Sequence, residues 1–182
     1  MKYMFASDIH GSAYYCQKML DAFDQEKAQR LVLLGDILYH GPRNDLPAEY
    51  APKRVIELLN ARKDLIYAVR GNCEAEVDQM VLEFPVLADY CILLLDGHTF
   101  YATHGHIYNE TNLPPMKTHD ILISGHTHIP VAETREDITI LNPGSVSIPK
   151  GGSVPSYAIW EDSVFTIKGF DGEIVKSLHI EV

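Results

Sequence analysis

The sequence predicts an α/β protein in which two β-sheets pack together with helices outside. Two patterns carry the prediction. In the first half, short apolar runs alternate with segments of helical periodicity, as parallel strands buried on both faces and joined by crossover helices would. In the second half, apolar runs follow one another at hairpin spacing, which marks a mostly β region.

Lys2 to Ser7 is a short apolar run and reads as the first strand. Residues 13–27 place Cys16, Met19, Leu20 and Phe23 at i, i+3, i+4 and i+7, one face of a helix. Leu31 to Leu34 is too short for a helix and ends in a turn, so it reads as a second strand. A second helix follows Pro52, a residue suited to a first turn because its missing N–H has no intrahelical partner there. It sets Val55, Leu58, Leu59 and Arg62 on one side. Leu65 to Val69 is the third strand, and Val77, Met80, Val81 and Phe84 mark a third helical face. Beyond it, Cys91 to Leu95 and Thr99 to Thr103 bracket Asp96-Gly97, a strong hairpin signal. Ile121 to Ser124, Val131 to Thr134 and Ile138 to Leu141 follow as strands. Tyr157 to Trp160 and Val164 to Lys168 meet at Glu161-Asp162, and Asp171-Gly172 opens a last strand toward Ile180. No linker or internal repeat interrupts the chain, so residues 1–182 are expected to form one domain.

Composition narrows the function. Fifteen Lys and Arg against 25 Asp and Glu give a net charge of −10, which disfavours a nucleic-acid backbone as partner. No apolar run approaches the roughly 18–20 residues of a membrane span. The start, Met1 to Asp8, meets a charge too early for a signal peptide. Three cysteines, Cys16, Cys73 and Cys91, leave one unpaired under any pairing and form no C-x-x-C motif, so free thiols in a cytoplasmic protein are expected. Nine histidines in 182 residues are an excess that needs a cause.

Their placement supplies one. The apolar runs end in polar clusters: Ser7-Asp8-Ile9-His10-Gly11, Gly35-Asp36, Gly71-Asn72-Cys73-Glu74, His104-Gly105-His106 and Gly125-His126-Thr127-His128. Ligand sites of open α/β sheets lie beyond the carboxyl ends of strands, so five clusters are expected to converge on one edge. If the chain is extended there, Asp8 and His10 point the same way by period-two alternation, and so do His126 and His128. With Asp36, Asn72 and His104 they make seven oxygen and nitrogen donors, enough for two cations and too many for one.

The ordered motifs D-x-H, G-D, G-N-x-E, H and G-H-x-H resemble those of the calcineurin-like metallophosphoesterase family, and most of all its small bacterial YfcE-type phosphodiesterases. Asn142-Pro143-Gly144-Ser145-Val146-Ser147-Ile148-Pro149 and the Gly41-Pro42-Arg43-Asn44 loop extend the similarity. The resemblance implies a four-layer α-β-β-α sandwich of two mixed sheets. It implies one metal on Asp8, His10 and His128 and another on Asn72, His104 and His126, with Asp36 bridging them and a hydroxide held between. Two divalent ions per subunit follow, with Mn²⁺ suiting the donors best and Zn²⁺, Fe, Co²⁺ or Ni²⁺ compatible with them.

Cys73 stands where most of the superfamily carries a histidine that reaches the phosphate and the leaving oxygen. A thiol is shorter and a weaker proton donor. At the start of a predicted helix it is expected to feel the dipole, lowering its pKa, with a small apolar filler as the other reading. His106 is read as contacting substrate or orienting a ligand, against a solvated loop histidine. Arg43, with His40 in the loop 39–52, is a weaker candidate for the substrate anion, with a surface or subunit contact equally open. Glu74 reads as a first-turn residue of the following helix. His98, His119 and His179 lack motif context, and Cys16 reads as core.

The expected activity is hydrolysis of a small phosphodiester. A phosphomonoesterase on the same centre is the alternative, and Cys73 counts against it. A protein-binding module of the same fold, like the vacuolar sorting subunit of retromer, is a second alternative. Such scaffolds tend to lose metal-site histidines, whereas His10, His104, His126 and His128 are present. The resemblance also implies a homodimer or homotetramer.

Overall fold

The structure, a computed structural model, describes residues 1–181. The first three strands, β1 (Tyr3–Ala6), β2 (Arg30–Leu33) and β3 (Ile66–Ala68), pair in parallel. Helices α1 (Ala13–Gln25) and α2 (Pro52–Asn60) make the crossovers. Ser12 caps α1, its hydroxyl accepting from the Tyr15 amide. The predicted face of α1 is buried: Cys16, Met19, Leu20 and Phe23 pack with Met4, Leu31, Leu33, Val55 and Leu59 on one side of this sheet.

The later strands divide between two sheets. β4 (Tyr90–Leu95) and β5 (His98–Thr103) form the expected hairpin around Asp96-Gly97. Both turn residues have positive φ, 50° and 88°, matching the twist of the flanking strands. With β6 (Ile121–Ile123), β7 (Val131–Arg135) and β8 (Ile138–Asn142) they build a mixed sheet of order β4-β5-β6-β8-β7. The last three strands, β9 (Ser156–Glu161), β10 (Val164–Gly169) and β11 (Ile174–His179), return to the first sheet, giving β11-β10-β9-β1-β2-β3. β9 pairs antiparallel with β1, so β1 is central and its carboxyl end lies in the middle of the molecule.

The two sheets pack face to face over a second core. Phe5, Phe100, Trp160 and Phe165 are each fully buried there. The Phe5 and Phe100 rings stack at 5.9 Å, and Trp160 meets Phe100 edge-on at 4.9 Å. The Trp160 indole N–H donates to Asp96 in the hairpin turn at 2.8 Å, so this large ring is buried without an unpaired donor. The outer face of the second sheet is covered in part by the loop after β5, where Tyr101 donates to the Pro115 carbonyl. Among the described residues no helix is long and apolar enough to cross a membrane.

Two local expectations are corrected. The third helix, α3, is only Glu76–Val81, and its supposed apolar face is exposed, with Met80 at 83%. The residues of this segment that reach the core are Leu82, Phe84 and Val86, which alternate as extended chain does. Pro85 favours that conformation at Phe84. Arg62 lies past the end of α2, where its guanidinium grips Asp24 of α1 through two hydrogen bonds of 2.6 and 2.7 Å. His98 is a buried strand residue packed edge-on against Trp160.

Phe100→Ala should lower stability by about 3–5 kcal/mol, since it removes the ring that both Phe5 and Trp160 contact. Denaturant unfolding monitored by Trp160 fluorescence measures this. A loss below about 1 kcal/mol would show that the inter-sheet core repacks around the gap.

Candidate metal centre

The five clusters converge at the carboxyl ends of the central strands, but not by strand alternation. β1 ends at Ala6, and Asp8 and His10 then adopt left-handed backbone, with φ of 59° and 51°. Asp36, His126 and His128 do the same at 54°, 65° and 61°. Such conformations are uncommon outside glycine, though Asp and His tolerate them better than most. The expected period-two geometry is therefore replaced by tight turns that aim each side chain separately.

Backbone hydrogen bonds hold those turns. The Asp8, His10 and Gly11 amides donate to the Gly35, Asp36 and Ile37 carbonyls at 3.1, 2.9 and 2.8 Å, zipping the loops after β1 and β2 together. The Ser145 and Ser147 hydroxyls both donate to the Asp8 carbonyl at 3.0 Å, from the segment that carries the chain from β8 to β9. Gly71 and Gly125 are required by space: a Cβ would strike the Asp36 carboxylate at the first and Ser7 at the second.

Two foci result. In the first, His128 Nε2 lies 3.2 Å from Asp8 Oδ1 and 3.3 Å from His10 Nε2. In the second, His104 Nε2 lies 3.1 Å from Asn72 Oδ1 and 3.2 Å from His126 Nδ1. Asp36 Oδ2 stands between them, 3.7 Å from His10 Nε2 and 3.4 Å from His104 Nε2. All seven expected donors are thus brought together, and Asp8, His10, Asp36, His104 and His128 are buried.

The donor chemistry fits cations. His10, His104 and His128 each direct Nδ1 at a backbone carbonyl, of Tyr39, Leu34 and Ile148, at 2.8, 2.7 and 2.5 Å. In the neutral rings this places the proton on Nδ1 and leaves Nε2 as a lone pair facing the focus. Lone pairs of two imidazoles and a carboxylate then point at one another, an arrangement that positive charge must stabilise. Asp8 Oδ1, buried and without a hydrogen-bond partner, is the acceptor such a charge would satisfy. The acid–base balance agrees. Burial works against the His104 imidazolium, yet Asp36 and Asp8 outweigh it and hold the pKa at about 9. Burial likewise opposes ionisation of Asp8, and His10 and His128 overcome it, keeping that carboxyl far below the usual range.

Three residues read differently from their sequence context. Glu74 is not in a helical first turn: it precedes Ala75, the residue at the start of α3, and turns inward to 4% exposure. Its carboxylate accepts from the amides of Asp36, Ile37 and Gly71 at 2.8, 2.7 and 2.5 Å, joining the loops after β2 and β3 directly beneath Asp36. Burial and Asp36 push its pKa up to about 7 against the pull of those amides. The Cys73 thiol is raised, not lowered, by burial and by Asp36, whose Oδ2 lies 3.3 Å from the sulfur. The expected helix dipole is absent because α3 starts three residues later and spans six residues. Lys150, which the motifs do not flag, lines the cavity of about 400 Å³ over the two foci together with Arg43 and Cys73. Its only sequence signal is its position just after the Asn142–Pro149 stretch.

His106 packs beside His104 and His126, ring centres 5.3 and 6.3 Å apart, and lines a neighbouring cavity instead. His40 sits edge-on between Tyr39 and Tyr50 in the loop before α2.

A sandwich of two mixed sheets that gathers Asp, Asn and His donors at its strand ends defines a metal-dependent phosphoesterase scaffold. Residues 1–163 match the calcineurin-like phosphoesterase superfamily domain, and the chain belongs to that family. It is 52% identical to the phosphodiesterase YfcE of Escherichia coli K12 over 167 residues, 92% of this chain and 91% of that one. The phosphodiesterase MJ0936 of Methanocaldococcus jannaschii is 26% identical over 79% of this chain and 83% of its own. Among solved structures, that of the E. coli phosphoesterase Yfce superposes with a TM-score of 0.97 at 49% identity, covering all of both chains. A Vps29 single mutant from Entamoeba histolytica, at 19% identity and a TM-score of 0.64 over all of both chains, shares the fold.

Two outcomes are expected. Glu74→Gln leaves one acceptor oxygen where the carboxylate offers two, stranding at least one buried amide, so stability should fall by about 1–3 kcal/mol in urea unfolding. A midpoint equal to wild type would remove Glu74 from the support of the site. Divalent-ion binding at neutral pH should release protons, because His104 titrates at about 9 and must be neutral to coordinate. The raised pKa means affinity climbs as pH approaches that value. Calorimetry in buffers of different ionisation enthalpy measures the release, and a buffer-independent heat would contradict it.

Proposed function

We propose that the protein hydrolyses small phosphodiesters at a centre of two divalent cations. The observation that carries this reading is the pair of adjoining donor foci with Asp36 between them. Asp8, His10 and His128 would hold one cation, Asn72, His104 and His126 the other, and Asp36 would touch both. The seven donors include no thiolate, which suits Mn²⁺, with Zn²⁺, Fe, Co²⁺ and Ni²⁺ compatible. The cations would neutralise charge on the phosphate oxygens and activate the attacking water as a hydroxide held between them.

The chain's own residues do the rest. The three Nδ1–carbonyl bonds fix ring orientation and leave the facing nitrogens free to coordinate. Asn72 donates an amide oxygen and adds no charge. Arg43 and Lys150, both exposed at the cavity, can meet phosphate oxygens that project from the centre. Cys73 lies at the same cavity with a thiol raised in pKa, so it transfers a proton poorly to a departing alkoxide. That favours diesters with good leaving groups over monoesters. Two carboxylates against two divalent cations leave the centre positive within a protein of net charge −10, which suits a compact monoanion better than a long polyanion. The similarity to the phosphodiesterases YfcE and MJ0936 supports the diester reading.

We place the protein in the cytoplasm as a homo-oligomer. Three cysteines without disulfides support a reducing compartment. Ile92 and Leu94, 49% and 78% exposed on the edge strand β4, support a subunit contact.

Chelation should abolish hydrolysis of bis(p-nitrophenyl) phosphate, and Mn²⁺ should restore it. The corresponding monoester should turn over at least tenfold more slowly; full turnover by protein verified as metal-free, or a monoester preference, would overturn the reading. Cys73→His should flatten the dependence of rate on leaving-group pKa across a series of aryl and alkyl diesters. An unchanged slope would remove Cys73 from the control of leaving groups.

A further inference from the structure

The cavity over the metal centre is not the only one that His126 borders. A second, of about 380 Å³, lies between the outer face of the second sheet and the loop that follows β5. His126 and Thr127 line both cavities. One nitrogen of His126 faces His104 at 3.2 Å, so its imidazole borders both the donor cluster and this second space.

We propose that this cavity holds one ester arm of the substrate, an uncharged alcohol of about nucleoside size carrying a flat ring. The inference rests on the diester reading above and deepens it. Three features select the arm. The first is the floor, made by the partly exposed Val131 and Ile140, with the almost fully buried Leu122 opposite Ile140. Ile121, Ile123 and Leu141 point into the inter-sheet core, so their neighbours Leu122 and Ile140 point outward, and they sit directly opposite each other across β6 and β8. Val131 extends the floor from β7. A shelf of branched aliphatics on neighbouring strands is flat and apolar, and a planar ring covers it with the least water left behind.

The second feature is charge. The cavity's ionic side chains are Glu110 and Arg135, paired at 2.5 Å, and Arg135 also meets Glu133. Among the described residues no cation stands free there to receive a second anion. The cavity over the metals, by contrast, carries Arg43 and Lys150. The phosphate therefore belongs over the metals and a neutral arm beside them. The third feature is the polar rim. Thr111 and Ser124 bring hydroxyls to the same space, and the Thr111 hydroxyl, donating to Asn109, keeps its lone pairs for a ligand O–H or N–H. A volume of about 380 Å³ is at the small end of the range of ligand pockets, enough for one nucleoside and too little for a dinucleotide. Water cleaves one P–O bond of the diester, and the arm departs as an alcohol or stays on the monoester product.

The test compares two diesters that share a p-nitrophenolate leaving group and differ in the other arm, thymidine 5′-p-nitrophenyl phosphate and methyl p-nitrophenyl phosphate. With Mn²⁺ present, wild type should show a kcat/KM at least tenfold higher for the thymidine ester. Val131→Trp, which fills the cavity from its floor, and Thr111→Trp, which fills it from the exposed rim, should each erase that preference. Free thymidine should also shift the methyl resonances of Leu122, Val131 and Ile140 in chelator-treated wild type and not those of Leu122 and Ile140 in Val131→Trp. Equal kcat/KM values in wild type, or a preference that survives both substitutions, would overturn the inference while leaving the diester reading intact. Absence of turnover for either ester in wild type would instead overturn the diester reading. Methyl shifts with thymidine would then still support the cavity as a nucleoside site, and their absence would overturn it.

Discussion

Lone pairs crowded against lone pairs are the constraint on which this structure turns. His10 Nε2, His128 Nε2 and Asp8 Oδ1 lie 3.2–3.6 Å apart, and His104 Nε2 is as close to Asn72 and His126. Such donors repel one another unless positive charge lies among them, whether the proton that His104 holds up to about pH 9 or a cation that displaces it, and the fold must hold them together. Hydrogen bonds from behind perform that task. Three backbone carbonyls fix three imidazoles, two serines hold the Asp8 carbonyl, and Glu74 gathers the amides around Asp36. Preorganisation of this kind moves the cost of arranging the ligands from the moment of metal binding to folding.

The rest of the molecule is arranged to carry that cost. Left-handed backbone at five of the seven donors is unfavourable by about 1–3 kcal/mol at each strained position. Two extensive cores offset it, one beneath α1 and α2 and one between the sheets. Placing β1 at the centre of its sheet matters here. Its exit loop receives support from β2 on one side and from the segment leading to β9 on the other, where the Val146 amide donates to Ser7 at 2.9 Å.

Much of this was legible in the sequence, because the relevant signals are local. Cys16, Met19, Leu20 and Phe23 repeat at helical spacing and form the buried face of α1. Asp96-Gly97 marks a turn by itself, and each donor cluster is a short motif after an apolar run. What escaped depends on partners distant in sequence. Strands β9–β11 read as part of the β-rich second half, yet they complete the first sheet because β1 offers an open edge to β9. Glu74 lies next to a helix start and looks like a helix residue, but three amides from two loops draw it inward. The Asp8 and His10 pair illustrates the same limit. Their convergence is legible in the motif and its mechanism is not, since φ of 59° and 51° accompanies hydrogen bonds to the neighbouring loop. Cys73 sits in sequence where a helix dipole would lower its pKa, and burial together with the carboxylate of Asp36 beside it reverses the sign.

The central claim is that two cations sit at two adjoining foci that share Asp36. Anomalous diffraction from crystals of the protein loaded with Mn²⁺ tests it most directly. Two peaks about 3.5–4 Å apart, one among Asp8, His10 and His128 and one among Asn72, His104 and His126, with Asp36 within coordinating distance of both, are the expected result. A single peak, or metal bound away from Asp36, would contradict the account.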